Sequence, residues 1–79
     1  NFESKSKNFV ARIIENSNEM DIVSDKVTFT EYKGIGNSNL DLNSKEFKIN
    51  NLFEIMQGKA KIEADSIVNS GNFKINGNV

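Results

Sequence analysis

Several residue types that usually build a catalytic or metal site are missing from this sequence. Its 79 residues include no cysteine, no histidine, no proline and no tryptophan. Without cysteine the chain cannot form a disulfide, and without cysteine and histidine it lacks the usual zinc ligands. The commonest general base is also missing with histidine. We therefore expect a protein that works by binding, with no cofactor and no metal.

The chain is also short of net charge and of long apolar runs. Ten basic and eleven acidic residues leave a net charge of −1. No basic stripe with interleaved aromatic residues is present, which argues against nucleic-acid binding. No apolar run approaches the length of a membrane span. Because the chain begins with asparagine, we expect a single domain over residues 1–79 that is a fragment of a longer or processed protein.

What the chain does have is a regular alternation of apolar and polar residues. Alternation with a period of two places one set of side chains on each face of a strand. Asparagine, serine and glycine separate the alternating runs, as in turns. The pattern predicts an all-β protein made of many short strands. We assign these residues to the apolar faces: Phe9, Ala11, Ile13, Val27, Phe29, Leu40, Leu42, Phe47, Ile49, Ile62, Phe73 and Ile75.

One segment, residues 50–65, fits two structures. Asn51 and Glu54 resemble a helix capping box, and Leu52 and Ile55 have helical spacing. A helix would place Gly58 in its interior, at a cost of about 1 kcal/mol. The alternation that follows Gly58 favours a strand, a turn and a second strand, and we adopt that interpretation while the helix stays open.

A weak internal repeat has a period of about twenty residues. SDKVTF (24–29) leads to GIGN, NSKEFKI (43–49) leads to MQGKA, and ADSIVN (64–69) leads to INGNV. The glycines Gly36, Gly58 and Gly77 mark the period. A unit this small cannot bury its own apolar face, so the repeat predicts units stacked into a layered β structure.

No arrangement of side chains suggests catalysis. Acid–base catalysis without histidine needs two carboxylates in one site. The best spaced pair, Asp21 and Asp25, is interpreted as solvated, and the other acids are scattered. The serines lie in turn-like contexts without a partner base, so we expect no enzyme.

The last repeat resembles a known family. Residues 64–79, ADSIVNSGNFKINGNV, are similar to the repeat of the lipopolysaccharide-transport family of LptC-, LptA- and OstA-like domains. That repeat opens with an Ala-Asp pair and closes with Gly-Asn-Val. Ala64, Asp65, Gly77, Asn78 and Val79 hold these places.

The resemblance extends back to about residue 8. SDKVTF followed by GIGN looks like a second copy, with Ser24 in place of the alanine. The start of the chain is similar to the opening of LptC-like domains, with Ala11, Phe29 and Tyr32 in the corresponding places. The middle unit departs from the family, because Ser44-Lys45 stands where Ala-Asp is expected.

The resemblance implies a fold and a function. The fold would be an antiparallel β-jellyroll, or β-taco, with open edges and an apolar trough lined by the residues assigned above. The function would be lipopolysaccharide export and outer-membrane biogenesis in a Gram-negative periplasm. Lipid A acyl chains would bind in the trough, and Arg12 with nearby lysines would face lipid phosphates, although a solvated role for these cations is favoured.

The partners implied are lipopolysaccharide, other β-jellyroll transport proteins joined by edge-strand pairing, and an inner-membrane transporter complex. The domain would be tethered by an N-terminal anchor outside the sequence given, and a homo-oligomer stays open. A second hypothesis is a structural β-solenoid segment of a surface adhesin or phage fibre. Its core would be closed and dry. The sequence does not separate a packed core from an open trough, although a packed core is the favoured interpretation.

Overall fold

The structure, a computed structural model, describes residues 2–76, and the regular elements among them are β-strands. The C-terminal Gly-Asn-Val of the family resemblance, with the repeat glycine Gly77, lies outside the described residues. The strands are β1 (Phe2–Asn16), β2 (Glu19–Gly34), β3 (Asn39–Ile55), β4 (Lys59–Asn69) and β5 (Asn72–Ile75). The chain is therefore all-β, as the alternation predicts.

All strand pairs in the described residues are parallel. β1 pairs with β2, β2 with β3, and β3 with β4 along its first part and with β5 along its last part. Each strand is thus stacked on the strand that precedes it in the chain, apart from β5, which completes the layer begun by β4. The architecture is a β-solenoid of about four turns. We call these turns coil 1 (2–18), coil 2 (19–38), coil 3 (39–58) and coil 4 (59–76).

The prediction of an antiparallel β-jellyroll is wrong. Parallel neighbours need a long connection to bring the chain back to the start of the sheet. Here the rest of each coil is that connection. Met20 pairs with Leu40, which lies twenty residues further along the chain, and Leu40 pairs with Ala60. The layered stacking predicted from the repeat is present, whereas hairpins between short strands are not.

Each long strand bends while it continues to pair. In β2, burial follows Met20, Ile22 and Ser24, then shifts phase to Val27 and Phe29. A second shift places Tyr32 in the core, where the alternation from Val27 and Phe29 would have placed Glu31. A bulge in the β2–β3 pairing accompanies this second shift, between Phe29 and Glu31. Because the inward face changes at each bend, the chain can wrap around a core without leaving the sheet.

Serines occupy the first bend. Ser6, Ser24 and Ser44 pair in successive coils, and Ala64 follows in coil 4. The hydroxyl of Ser24 donates to the carbonyl oxygen of Lys26 at 3.0 Å. The hydroxyls of the other two serines donate to the carbonyl two residues on in the same way. Each serine satisfies a backbone acceptor at a bend, where regular pairing is interrupted.

Residues 51–64 form strand, turn and strand, and the helix alternative is wrong. β3 continues to Ile55 and β4 begins at Lys59. Gly58 has a φ of 104°, which suits a residue without Cβ. The turn stacks on the turn of the previous coil, since the amide of Lys59 donates to the carbonyl of Ser38 at 2.8 Å.

Candidate functional site

The core is a set of rows that run along the solenoid axis. A row is the set of residues that occupy the same position in successive coils. The side chains of Phe29, Leu40, Leu42, Phe47 and Ile49 have 0% exposure. Parallel sheets are covered on their inner face, and close packing there excludes water. The interior formed by coils 2 and 3 is closed.

The residues predicted to line a lipid trough lie in three environments. Six of them are buried in the closed core: Val27, Phe29, Leu40, Leu42, Phe47 and Ile49. Phe9, Ala11 and Ile62 pack against this core and are partly buried. Ile13, Phe73 and Ile75 are exposed. The structure therefore brings most of the set to one interior, and it places the remainder on coils 1 and 4.

The shared face predicted for Phe9, Ala11 and Ile13 ends at Ala11. Ile13 is 69% exposed, and Ile14 packs against the core in its place. The second bend of the coil lies between Ala11 and Ile14, where the inward face shifts by one residue. A strict period of two cannot register such a shift, so the sequence pattern assigns Ile13 to the inner face.

Three aromatic rings stack in one row of the core, after the second bend of each coil. Of the three, only Phe73 belongs to the predicted lining set. The rings of Tyr32 and Phe53 lie 4.9 Å apart and nearly parallel, and those of Phe53 and Phe73 lie 4.7 Å apart. Ile14 pairs with Tyr32 at the coil 1 end of this row. The signal in the sequence was the spacing of about twenty residues between the three aromatic positions.

A buried polar pair sits beside this stack. The side-chain amide of Asn16 donates to the Tyr32 hydroxyl at 3.2 Å. Burial raises the pKa of Tyr32, and the hydrogen bond from Asn16 opposes this effect. The pair lets a tyrosine fill a core position without leaving its hydroxyl unsatisfied.

Two rows on the outward faces alternate in charge, whereas the row of Glu3, Asp21 and Asp41 carries an acid in three successive coils. Glu15 pairs with Lys33, Lys33 with Glu54, and Glu54 with Lys74. A similar alternation follows the serine bend, where one residue in each coil lies just after the paired serine or alanine: Lys7, Asp25, Lys45 and Asp65. Alternation places opposite charges in neighbouring coils, which favours the parallel register.

The two ends of the solenoid differ from its middle. Among the described residues β1 pairs with β2 alone, and β4 and β5 pair with β3 alone. The row positions of these end coils are therefore covered on one side only. At the coil 1 end Phe2 is 44% exposed, and at the coil 4 end Ile67 is 54% exposed. These two surfaces are the candidate functional sites, because they combine unpaired strand edges with exposed apolar side chains.

The surface grooves are weaker candidates for a functional site than the two ends. One groove of about 450 Å³ is lined by Glu3, Ser4, Lys5, Asp21 and Val23. Two others lie along the serine bend and along the turns of coils 1 to 3. Over residues 2–76 no three His, Cys, Asp or Glu side chains are grouped to hold a metal ion. The same residues form no helix that is long and apolar enough to cross a membrane.

Comparisons with known proteins found no match, so the structural class of this chain is defined by its fold alone. The chain is a parallel β-solenoid by its strand pairing. No family model, no curated protein and no solved structure matches it. The resemblance to the lipopolysaccharide-transport family stays a prediction that these comparisons do not test.

Proposed function

We propose that this chain is a structural segment, a stretch of β-solenoid that acts as a rigid spacer in a surface adhesin or phage fibre. The observation that carries the proposal is the closed core. The inward residues of coils 2 and 3 are buried against one another, as in the middle of a solenoid rod. A stack of coils transmits its geometry through nearest-neighbour contacts, which suits a spacer.

Lipid binding is the competing function, and it needs apolar surface that an acyl chain can reach. The inner coils present none of their core rows to solvent, since Phe29 and Phe47 have no exposed surface. A lipid would have to enter at an end coil, beside Phe9 or Ile62. These two half-buried positions are therefore the places where the two functions predict different results.

The test is photo-crosslinking to lipopolysaccharide. A photoreactive residue is placed at Phe9 or Ile62 in turn, with the outward positions Lys26 and Lys61 as controls, and circular dichroism confirms that each variant is folded. A structural segment gives no adduct above the level of the lysine controls. Adducts at Phe9 and Ile62 that are absent at both lysines would contradict the proposal and favour lipid transfer.

Hydrogen exchange supplies a second readout on the unmodified chain. A dry, closed core predicts strong protection of the amides in the central part of β3, unchanged when lipopolysaccharide is added. A change of protection there on adding the lipid would show that the interior opens to it, and the structural function would then be abandoned.

A further inference from the structure

The free edges at the two ends of the solenoid are complementary in direction. Within residues 2–76, one edge of β1 and one edge of the β4–β5 layer are unpaired, and both layers run parallel to the strands between them. A second copy placed with its coil 1 on coil 4 of the first would continue the parallel pairing. Two like ends related by a two-fold axis would meet with antiparallel strands. A continuing stack must therefore be head to tail.

The rows define the register of such a contact. Leu40 is followed by Ala60 in its row, and Phe2 begins the same row in coil 1. Extending the rows by one coil places Phe2 of the second copy next to Ala60. The same register places Phe9 against Ile67, and the following inner row would join Ile14 to Phe73. Ala60 is buried already, but the other end-coil side chains of these three rows are exposed or half-buried and would become buried.

Charges on the outward faces agree with this register at every position where both ends carry one. The register sets Glu3 against Lys61 and Lys5 against Glu63. It sets Lys7 against Asp65 and Glu15 against Lys74, which continues the two alternating rows. All of these contacts join opposite charges, and none joins like charges.

Shifted registers lose this agreement. A slip of one residue turns the apolar face outward. A slip of two residues keeps the faces and some opposite-charge contacts, but it adds a like-charge contact, Lys61 against Lys5 in one direction or Glu63 against Glu3 in the other. The end charges therefore select one register from the alternatives. Within the first copy, Lys61 and Glu63 contact each other at 3.3 Å as exposed side chains, so both are available at this surface.

We propose that the free ends bind a second copy of this chain, coil 4 of one to coil 1 of the next, in the register that pairs Glu3 with Lys61 and Lys5 with Glu63. The occupant is another copy because three apolar rows and the charges of one end are matched by those of the other end of the same chain. The inference rests on the proposed structural function and deepens it, since repeated contacts would lengthen the rod.

The test uses Lys5 and Glu63, because the residues that pair with them in the neighbouring coil are uncharged. Lys5 pairs with Val23, and Glu63 pairs with Asn43. Sedimentation velocity is measured from dilute solution up to the solubility limit. The wild-type chain should form species larger than a monomer. The variants Lys5→Glu and Glu63→Lys should each associate roughly three- to tenfold more weakly, because each places like charges in contact.

Mixing the two variants restores opposite charges at the contact between them. A mixture should therefore associate more strongly than either variant alone. Lys48→Glu is the control, since it makes the same charge change between Thr28 and Val68, away from the end charges. This control should associate like the wild-type chain. A wild-type chain that stays monomeric would overturn the proposal, and so would variants that associate normally or a mixture without recovery.

The outcome is distinguishable from failure of the proposed function. A monomeric chain that gives no lipid adduct overturns the stacking alone. Lipid adducts at Phe9 and Ile62 overturn the structural function whatever the state of association.

Discussion

Tyr32 illustrates how single residues hold the solenoid together. Its ring is fully buried between neighbouring coils and stacks on Phe53, while its hydroxyl accepts a hydrogen bond from Asn16. A phenol with this environment strongly favours its neutral form, because the phenolate would lose its hydration. The same residue therefore links packing in the core to the pH dependence of stability.

The pKa shift of Tyr32 predicts a loss of stability at alkaline pH. Because the folded pKa is raised above its ordinary value of about 10, the folded state holds its proton longer than the unfolded state. The contribution of this group is fully present below pH 10 and is lost as the pH rises through the folded pKa. Urea unfolding of the wild-type chain and of Tyr32→Phe, measured over this range, should show a steeper decrease for the wild-type chain.

The matched variant isolates this effect, because Tyr32→Phe removes the phenol and leaves every other side chain in place. Tyr32→Phe should also cost about 1 kcal/mol near neutral pH, since the amide of Asn16 loses its acceptor. The chain has one tyrosine, so phenolate absorbance reports this residue alone. Ionisation of the folded protein at an ordinary phenol pKa would contradict the burial argument.

At the scale of the elements, the turns between strands stack as closely as the strands do. The turn after β3 places Gly58 directly on Ser38 of the turn after β2. A Cβ added at Gly58 would overlap the carbonyl oxygen and the hydroxyl of Ser38. The serine cannot move away freely, because it is buried and its hydroxyl donates to the carbonyl of Gln57 at 2.8 Å.

Alanine substitutions at two glycines measure this contact. Gly58→Ala should destabilise the chain by about 3 kcal/mol, since it combines left-handed backbone strain with displacement of Ser38. Gly36→Ala is the control: it has a φ of 59° but no atom within 4 Å of the added Cβ. Its cost should be about 1 kcal/mol, from backbone strain alone. Equal urea midpoints for the two variants would show that the turns do not pack as described.

At the scale of the whole molecule, two of the outward charge rows repeat over two coils rather than one. From coil 2 to coil 3 the charge changes from Lys33 to Glu54 in one row. It changes from Asp25 to Lys45 in the other row. The molecule is therefore built from similar coils whose surfaces are not interchangeable. The parity of a coil is its place in this two-coil alternation. A neighbouring coil of the wrong parity would bring like charges together, and each such contact would lower the stability.

Duplication of whole coils tests this parity. Inserting a second copy of residues 19–58 after coil 3 keeps the alternation at the new junction. Inserting a second copy of residues 39–58 instead brings Lys45 against Lys45 and Glu54 against Glu54. Each added coil buries new core, so both proteins should unfold with a larger m-value. The urea midpoint should rise more for the two-coil insertion, and equal rises, after allowance for length, would contradict a role for the charges.

Parts of the fold could be predicted from the sequence, and the repeat was the most informative signal. Ser24 and Ala64 begin two of the predicted units, Ser44 is the second residue of the unit between them, and the three residues occupy one row. The closed core could be predicted as a set of residues, as for Leu40 and Leu42. The direction of pairing could not, because an alternating strand looks the same in a parallel and an antiparallel sheet.

The candidate site could not be predicted from the sequence, for a different reason. Phe73 reads as an inward residue by its alternation, and it does stack on Phe53. Its exposure arises only because the described residues place no coil above it. Which apolar residues are left uncovered depends on how many coils stack and in what order, and a local pattern does not contain that information.

The sequence by itself determined that this chain is all-β, that apolar and polar side chains alternate along its strands, and that its units repeat about every twenty residues. These properties are local, since they follow from alternation and from turn-forming residues within a few positions of each other. The tertiary structure alone decided that the strands are parallel and that the inner face of coils 2 and 3 closes. These depend on pairing between residues about twenty positions apart, where the direction and register of the coils are set by packing and not by any single strand.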